Sequence, residues 1–241
     1  MFRLMRLKPP HGWSAVGWEL GIVTLGVLIA LGGQQMVENW QWRQKAAQTT
    51  DILDAELHRN AVSAYKWLAV APCVDQQLNA IDEALSSARQ SGNVQATPPL
   101  TPPLEVFTED AWLDARAMQI ADHLNPETTA FYSTLFFLSQ DLAGLMPELH
   151  NAAAELQSLS NGVSPISTAE VGAYQRQAGR VHELLYRVEL GETLLLGQLK
   201  EHGIEPSSGE KRRQLQVSRS WAGECAGPPD PQRRFAPSEV N

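Results

Sequence analysis

The longest apolar stretch of the chain runs from Leu20 to Gly33, near the N-terminus. Its 14 residues carry no charge and include one polar side chain, Thr24. A membrane span usually needs about 20 mostly apolar residues, so this stretch is short by itself. The flanking positions lengthen it, because tryptophans stand on both sides as they do at membrane interfaces: Trp13 and Trp18 before it, Trp40 and Trp42 after it.

The spacing of the inner tryptophans predicts a transmembrane helix over residues 17–40. Trp40 lies 22 positions after Trp18, which is roughly 33 Å of helix and close to the about 30 Å hydrocarbon core of a bilayer. Two alternatives are a cleaved signal peptide, with a small-x-small site at residues 30–32, and a buried helix of a soluble domain. An uncleaved span is favoured, because helical character continues past that site and a core helix leaves the tryptophans unexplained.

The distribution of charge orients this span. Residues 1–16 form a basic tail that contributes +3, and since the net charge is −8 the rest of the chain carries −11. By the positive-inside rule a basic tail stays in the cytoplasm, which places everything after Trp40 outside. The acidic outer part also excludes nucleic acid as an expected partner, since affinity for nucleic acid begins with neutralising phosphates.

Beyond the span the pattern predicts helices and no sheet. Apolar residues at helical spacing continue the first helix to about Ala69, and Pro72 is expected to stop it. A second helix is expected over residues 73–90. Four prolines exclude regular helix from residues 91–104, which we expect to lie over the helices as an extended loop. Thr108 is expected to cap a short helix after this loop.

Two heptad seams follow, and they predict a long antiparallel helical hairpin. The first helix is capped by Asn125, and its apolar residues alternate spacings of four and three: Phe131, Leu135, Leu138, Leu142, Leu145, Leu149, Ala152, Leu156 and Leu159. Ser167 and Glu170 form a capping box that starts the second helix, which is expected to reach Gly203. The link between them is only a few residues long, so the two helices must run antiparallel.

The predicted fold class is therefore all-α: an N-terminal transmembrane helix that continues into an extracytoplasmic antiparallel helical bundle. The bundle is expected to cover residues 41–203, and residues 204–241 form a C-terminal tail. One seam position of the last helix is Glu192. A shift of the seam by one step, through Leu184, Val188, Gly191 and Leu195, turns Glu192 outward, and this shifted seam is favoured.

Cys73 and Cys225 are the two cysteines of the chain, and both lie outside in the favoured orientation. In an oxidising compartment they are expected to form a disulfide that tethers the C-terminal tail to the bundle. The alternative is two separate thiols, one buried and one exposed.

No catalytic, cofactor-binding or metal-binding constellation is recognisable, so an enzyme is not expected. The nearest approach is HELLY, residues 182–186, which has Tyr186 where a zinc-protease helix needs its second histidine. The sequence also holds no Gly-rich phosphate loop and no Gly-x-Ser-x-Gly turn.

Small residues form a stripe within the predicted span. At 100° per residue, Glu19, Gly26, Ala30 and Gly33 fall within about 60° on one side of the helix. Small side chains in line allow a second helix to approach closely, and an acidic group can hydrogen-bond across such an interface. The alternative is that the stripe faces lipid and that Glu19 reaches the headgroups. The first interpretation predicts a homo-oligomer or a complex with another membrane or envelope protein.

The stretch WELGIVTLGVLIALGGQQMVENWQWR resembles the N-terminus of bacterial single-span proteins that are grouped as a domain of unknown function. The shared features are a basic tail, a glutamate, an apolar run, an Asn-Trp pair and an arginine, here Glu19, Ile22 to Leu31, Asn39-Trp40 and Arg43. The resemblance covers about residues 16–60. It implies a single-pass protein of the bacterial inner membrane with its N-terminus in the cytoplasm and its bulk in the periplasm, and it supplies no activity.

Two non-enzymatic functions follow from these features. The first is a membrane-anchored scaffold or accessory subunit that acts through protein–protein contacts, as the stripe, the heptads and the acidic surface indicate. The second is an extracytoplasmic bundle that senses a ligand and signals through a partner, since only about 16 residues remain inside the cell. The scaffold is the leading hypothesis.

Overall fold

The computed structural model describes the backbone of residues 12–230 and, from residue 17 onward, their side chains. Within residues 12–230 five α-helices follow one another: α1 (Gly12–Ser91), α2 (Asp110–Ala117), α3 (Pro126–Leu156), α4 (Thr168–Glu201) and α5 (Ser208–Ala222). Short 3-10 helices cover Ala121–His123 and Gln157–Asn161. The described residues contain no β-strand, only an isolated bridge between Val94 and Val163. The prediction of an all-helical chain is confirmed, while most of the basic tail over residues 1–16 lies outside the described residues.

The first helix is much longer than the sequence analysis predicted. α1 contains 80 residues, or about 120 Å of helix, and it passes through Pro72 without ending. The expectation that Pro72 stops the helix is wrong. A proline removes one backbone hydrogen bond and costs about 3 kcal/mol within a helix, but Ala71 and Cys73 on either side are almost completely buried. Packing on the neighbouring helices therefore offsets the local cost.

α1 has two parts with opposite surroundings. From Gly17 to Lys45 its side chains are exposed, apart from a half-buried Trp42. From Ala46 onward one face of α1 is buried against the other helices, in a set that includes Leu53, Leu57, Ala61, Ala64, Trp67, Leu78, Ile81 and Leu85. We call the packed part of the chain, residues 46–230, the helical body. One continuous helix thus joins the apolar N-terminal segment to the core of the body.

α3 and α4 pack side by side in opposite directions. Gln177 near the start of α4 donates to the carbonyl of Ala152 near the end of α3, at 3.0 Å. The predicted caps are present: the Asn125 side chain accepts from the Thr128 amide, and Ser167 with Glu170 forms a capping box. Most seam residues of α3 are fully buried, and each such side chain contributes about 1.5–3 kcal/mol.

Residues 92–109, which we call the strap, form an extended segment between α1 and α3. The strap runs antiparallel to α1, as shown by contacts of Gln77 with Thr101 and of Asn60 with Thr108. On its α3 side, Nε2 of His150 lies 3.1 Å from the carbonyl oxygen of Pro102. Side chains alternate between the two faces near its end, because Pro103, Glu105 and Phe107 are buried whereas Leu104 and Val106 are exposed. The predicted extended loop is confirmed.

α2 begins differently from the prediction. Thr108 was expected to cap it, but α2 starts at Asp110 with no side-chain cap of its own. The buried carboxylate of Glu56 on α1 takes that role and accepts from the amides of Asp110, at 3.1 Å, and Ala111, at 2.8 Å. A carboxylate at a helix N-terminus satisfies orphan N–H groups and interacts favourably with the helix dipole. Because the donor and acceptor lie 54 positions apart, local sequence did not reveal this cap.

The predicted tail over residues 204–241 contains a helix. α5 begins with a capping box formed by Ser207 and Glu210. It runs beside α1 in the same direction, because its start contacts His58 and its end contacts Cys73. Nε2 of His58 on α1 lies 3.1 Å from Oε1 of Glu210. The pKa of Glu210 is lowered to about 2, first by the hydrogen bond from Ser207 and then by the contact with His58.

Candidate functional site

The apolar segment at the start of α1 is fully exposed in the isolated chain. Every large apolar residue from Trp18 to Trp40 exposes more than half of its surface. α1 is the one described helix that is long and apolar enough to cross a membrane, and that test is also passed by signal sequences and by core helices of soluble proteins. The helical body buries none of this segment.

The small-residue stripe lies on this exposed segment. Glu19, Gly26, Ala30 and Gly33 all belong to the same uninterrupted helix, α1. A Cβ atom added to Gly26 or Gly33 meets no other atom within 4 Å. These glycines are therefore not required by any packing inside the chain, and the stripe is open to a second helix or to lipid.

The tryptophans at the outer end of the segment have different surroundings. Trp40 exposes 64% of its surface. The Trp42 ring instead stacks on the His123 ring with centroids 3.9 Å apart, and the Lys45 ammonium lies 4.7 Å from the Trp42 ring centroid. Trp42 therefore packs α1 against the short 3-10 helix Ala121–His123 of the helical body. The side chain of Trp13 lies outside the described residues.

Cys73 and Cys225 are joined by a disulfide, as the sequence analysis predicted. Their Cα atoms lie 5.2 Å apart, and 152 positions separate them along the chain. Around this bond the segment after α5 is held to α1 by a hydrogen bond of 3.0 Å from the Gly227 amide to the carbonyl of Ala69, and Ala226 is fully buried. The disulfide thus fastens the end of the described chain to the C-terminal part of α1.

Glu192 of α4 is buried, which corrects the prediction that it faces outward. Its side chain exposes none of its surface, and neither carboxyl oxygen has a hydrogen-bond partner among the described residues. The prediction assumed one narrow seam on α4, whereas α4 packs against α1 and α3 at once. Gly191 therefore also faces inward, and a Cβ added there would lie 3.0 Å from Cδ2 of Leu142 on α3.

Glu192 belongs to a buried acidic cluster that the sequence analysis missed. Its other members are Glu189, one helical turn earlier on α4, and Glu105 of the strap, each at most 8% exposed. Nζ of Lys66 on α1 lies 2.6 Å from Oε1 of Glu105 and is the ion-pair partner of that carboxylate. Burial and the charges of Glu189 and Glu105 raise the pKa of Glu192 well above its ordinary value. Burial also raises the pKa of Glu105, and Lys66 opposes that effect.

A neutral polar layer is centred on Asn60 of α1. The Asn60 amide donates to the carbonyl of Thr108 at 2.8 Å and to Oγ of Ser139 at 3.0 Å, and its oxygen accepts from the Thr108 amide. Asn60 thus holds the end of the strap against α1 and α3. Nearby in sequence, Trp67 is fully buried and its indole N–H has no partner among the described residues.

The described residues offer no metal centre. No group of three or more His, Cys, Asp or Glu side chains within residues 12–230 is placed to share a metal ion. The histidine of HELLY, His182, instead pairs with Asp82 of α1, with Nε2 and Oδ2 separated by 2.7 Å. This contact links α1 to α4 on the surface of the body.

Comparison with known proteins identifies no relative. No protein-family model, no curated protein and no solved structure matches the chain significantly. Function must therefore be inferred from the residues and their arrangement.

Proposed function

We propose that the chain is a membrane-anchored extracytoplasmic scaffold or accessory subunit that acts through protein–protein contacts. The observation that carries this proposal is the continuity of α1. Its apolar segment is fully exposed, and the same helix continues without a break into the core of the helical body. In this proposal residues 17–40 cross the bacterial inner membrane once. The N-terminus lies in the cytoplasm, and the body is an antiparallel helical bundle in the periplasm.

The geometry at the point where α1 enters the helical body supports this placement. Ala46, the first residue of α1 buried in the body, lies six positions after Trp40, or about 9 Å along the helix. The Trp42–His123 stack lies between them. With Trp40 at the outer interface, the body therefore stands directly on the membrane surface, where the attached helix keeps it in a fixed position relative to the span.

The disulfide supports an oxidising compartment. Structural disulfides persist in the periplasm and outside the cell, whereas the cytosol keeps thiols reduced. Cys73 and Cys225 belong to the part of the chain that the basic N-terminal tail places outside. The disulfide and the basic N-terminal tail are independent features, and both favour an orientation with the helical body outside the cytoplasm.

The experiment for this proposal tests the stripe as a contact surface. Full-length protein is crosslinked in its own membranes, purified in mild detergent and identified by mass spectrometry, beside a Gly26→Leu, Gly33→Leu variant. We expect one partner, or a second copy of the chain, at a fixed ratio in the wild type and a loss of more than about tenfold in the variant. Close helix packing in membranes depends on small residues, which leucine would replace with bulk.

The matched control places the same substitutions on the opposite side of the helix, as Gly21→Leu and Gly32→Leu. These glycines also have no atom within 4 Å of an added Cβ, so neither pair disturbs the fold. The control should retain the partner. Purification of a monomer without partners from both wild type and variant would contradict the proposal and leave the stripe facing lipid.

A ligand-sensing bundle is the second candidate, and a cavity of about 480 Å³ favours it. The cavity lies between α1, α4 and the start of α5, and Leu68, Leu196 and Pro206 contribute apolar surface to it. Lys200 and Lys211 also line it, although Lys211 is already paired with Glu205 at 2.6 Å. This candidate takes the place of the scaffold if the crosslinked protein proves to be alone.

A further inference from the structure

The buried acidic cluster contains a group that cannot be ionised in its present surroundings. An ionised carboxylate without hydrogen bonds is costly to bury by several kcal/mol, and such a group stays neutral instead. Glu192 is fully buried, and both its oxygens lack partners among the described residues. The observed packing therefore requires the protonated form of Glu192.

The charged groups that face Glu192 reinforce this requirement. Glu189 comes from its own helix and Glu105 from the strap, and both oppose a negative charge on Glu192. Lys66 is the cation contributed by α1, but it is engaged with Glu105. On the α3 side the neighbour of the adjacent Gly191 is the aliphatic Leu142. Within residues 17–230, therefore, no element supplies Glu192 with a compensating positive charge.

We propose that Glu192 is a proton-dependent latch for the strap: the strap stays docked while Glu192 is protonated, and ionisation of Glu192 releases it. This inference does not depend on membrane anchoring or on any partner. It assigns Glu192 a regulatory role, with Glu105 as the acidic group that the strap carries into the cluster.

The strap is the element that can move away from the acidic cluster. It has no internal helix hydrogen bonds, and near Glu105 it is held by the Lys66 pair and by side chains of α1 such as Asn60 and Gln77. α4, in contrast, is packed along its length against α1 and α3. Undocking of the strap removes the Glu105 charge from the cluster and admits water to Glu192. Release of the strap is therefore the rearrangement that exposes an ionised Glu192 to water at the lowest cost in free energy.

The direction of the pH dependence follows from linkage. The pKa of Glu192 is higher in the docked state than in the released state, where it returns towards the ordinary value of 4.5. Docking is therefore fully favoured below about pH 4.5, and it weakens as pH rises until the raised pKa is passed. Glu105 shifts in the same direction when docked, so its titration adds to the effect.

Hydrogen exchange of the full-length protein in detergent tests this latch. Protection of the Thr101 and Thr108 amides, which donate to Gln77 and Asn60, is measured from pH 5 to 9 and corrected for intrinsic exchange. In the wild type we expect protection of strap peptides to fall by up to about tenfold per pH unit, the limit for one linked proton. Peptides of α3 and α4 should remain protected.

Two variants and one control make the test decisive. Glu192→Gln and Glu192→Leu remove the titrating group, so most of the pH dependence should disappear, and leucine also continues the seam of α4. Glu183→Gln changes an exposed acid of the same helix and should behave as the wild type. Strap protection that is independent of pH in the wild type overturns the proposal. The same applies to an unchanged slope in both Glu192 variants or to exchange of α3 and α4 in step with the strap.

Discussion

Replacing Cys73 and Cys225 by serine is expected to lower the free energy of unfolding by about 4–5 kcal/mol. The disulfide closes a loop across 152 positions, and in the chain-entropy model a closure of this length restricts the unfolded chain by about that amount. This is a large fraction of the about 5–15 kcal/mol that stabilises a typical domain. The quantity is measured by urea unfolding of the full-length protein in detergent, followed by far-ultraviolet circular dichroism.

The control for this prediction is the wild type unfolded under reducing conditions. It should match the double-serine variant, because both lack the cross-link and differ only in two atoms. In both, the segment after α5 should lose protection first, since its remaining ties include the Gly227–Ala69 hydrogen bond and the buried Ala226. A loss below about 1 kcal/mol would show that the bond adds little beyond the packing around it.

Substitution of Trp67 by alanine is expected to destabilise the helical body by about 3–5 kcal/mol. Trp67 is the largest side chain that is fully buried in the described core, and removal of a buried tryptophan loses its transfer free energy and leaves a cavity. Trp67→Phe should cost much less, about 1–2 kcal/mol. Phenylalanine keeps most of the ring volume, and it removes an indole N–H that has no partner among the described residues.

Trp221 of α5 provides the matched control for Trp67. It is the same residue type, but it is 45% exposed, so Trp221→Ala should cost less than about 1 kcal/mol. Chemical unfolding of the three variants in parallel gives the comparison. Equal effects of Trp67→Ala and Trp221→Ala would mean that the core does not centre on this part of α1.

The helices were largely predictable because their signals are local. Caps such as Asn125 and the Ser167–Glu170 box depend on residues three positions apart, and the seam of α3 repeats over many turns. Both kinds of signal can be recognised in the sequence without knowledge of the tertiary structure. The apolar segment and its tryptophans were equally visible, since length and flanking residues are read directly from the chain.

The features that were missed depend on contacts between distant residues. Pro72 does not end α1, because burial on both sides of it outweighs one lost hydrogen bond. Glu56 caps α2 from another helix. Glu192 faces inward because α4 packs between two helices, and this double burial was not evident from its own heptads. The one signal available for the cluster was the two-residue alternation of the strap, which places Glu105 on the same side as Phe107.

The same limit applies to the candidate sites. The cysteine pairing could be predicted from the sequence, since two cysteines can bond to each other in one way. The acidic cluster could not be found, since its members come from the strap and α4 and its cation from α1. Their meeting is a consequence of the fold, and so is the need for a neutral Glu192.

In the proposed topology α1 passes from the membrane directly into an extracytoplasmic body, and labelling of introduced cysteines from outside the membrane tests this topology. A third cysteine is introduced at Leu7→Cys in the basic tail or at Ser208→Cys at the exposed start of α5. Intact spheroplasts are then treated with a membrane-impermeant maleimide. We expect Ser208→Cys to be labelled at once. Leu7→Cys should still be present in the membrane-bound protein and should be labelled only after permeabilisation. Equal labelling of both sites, or loss of residue 7 by cleavage, would contradict it.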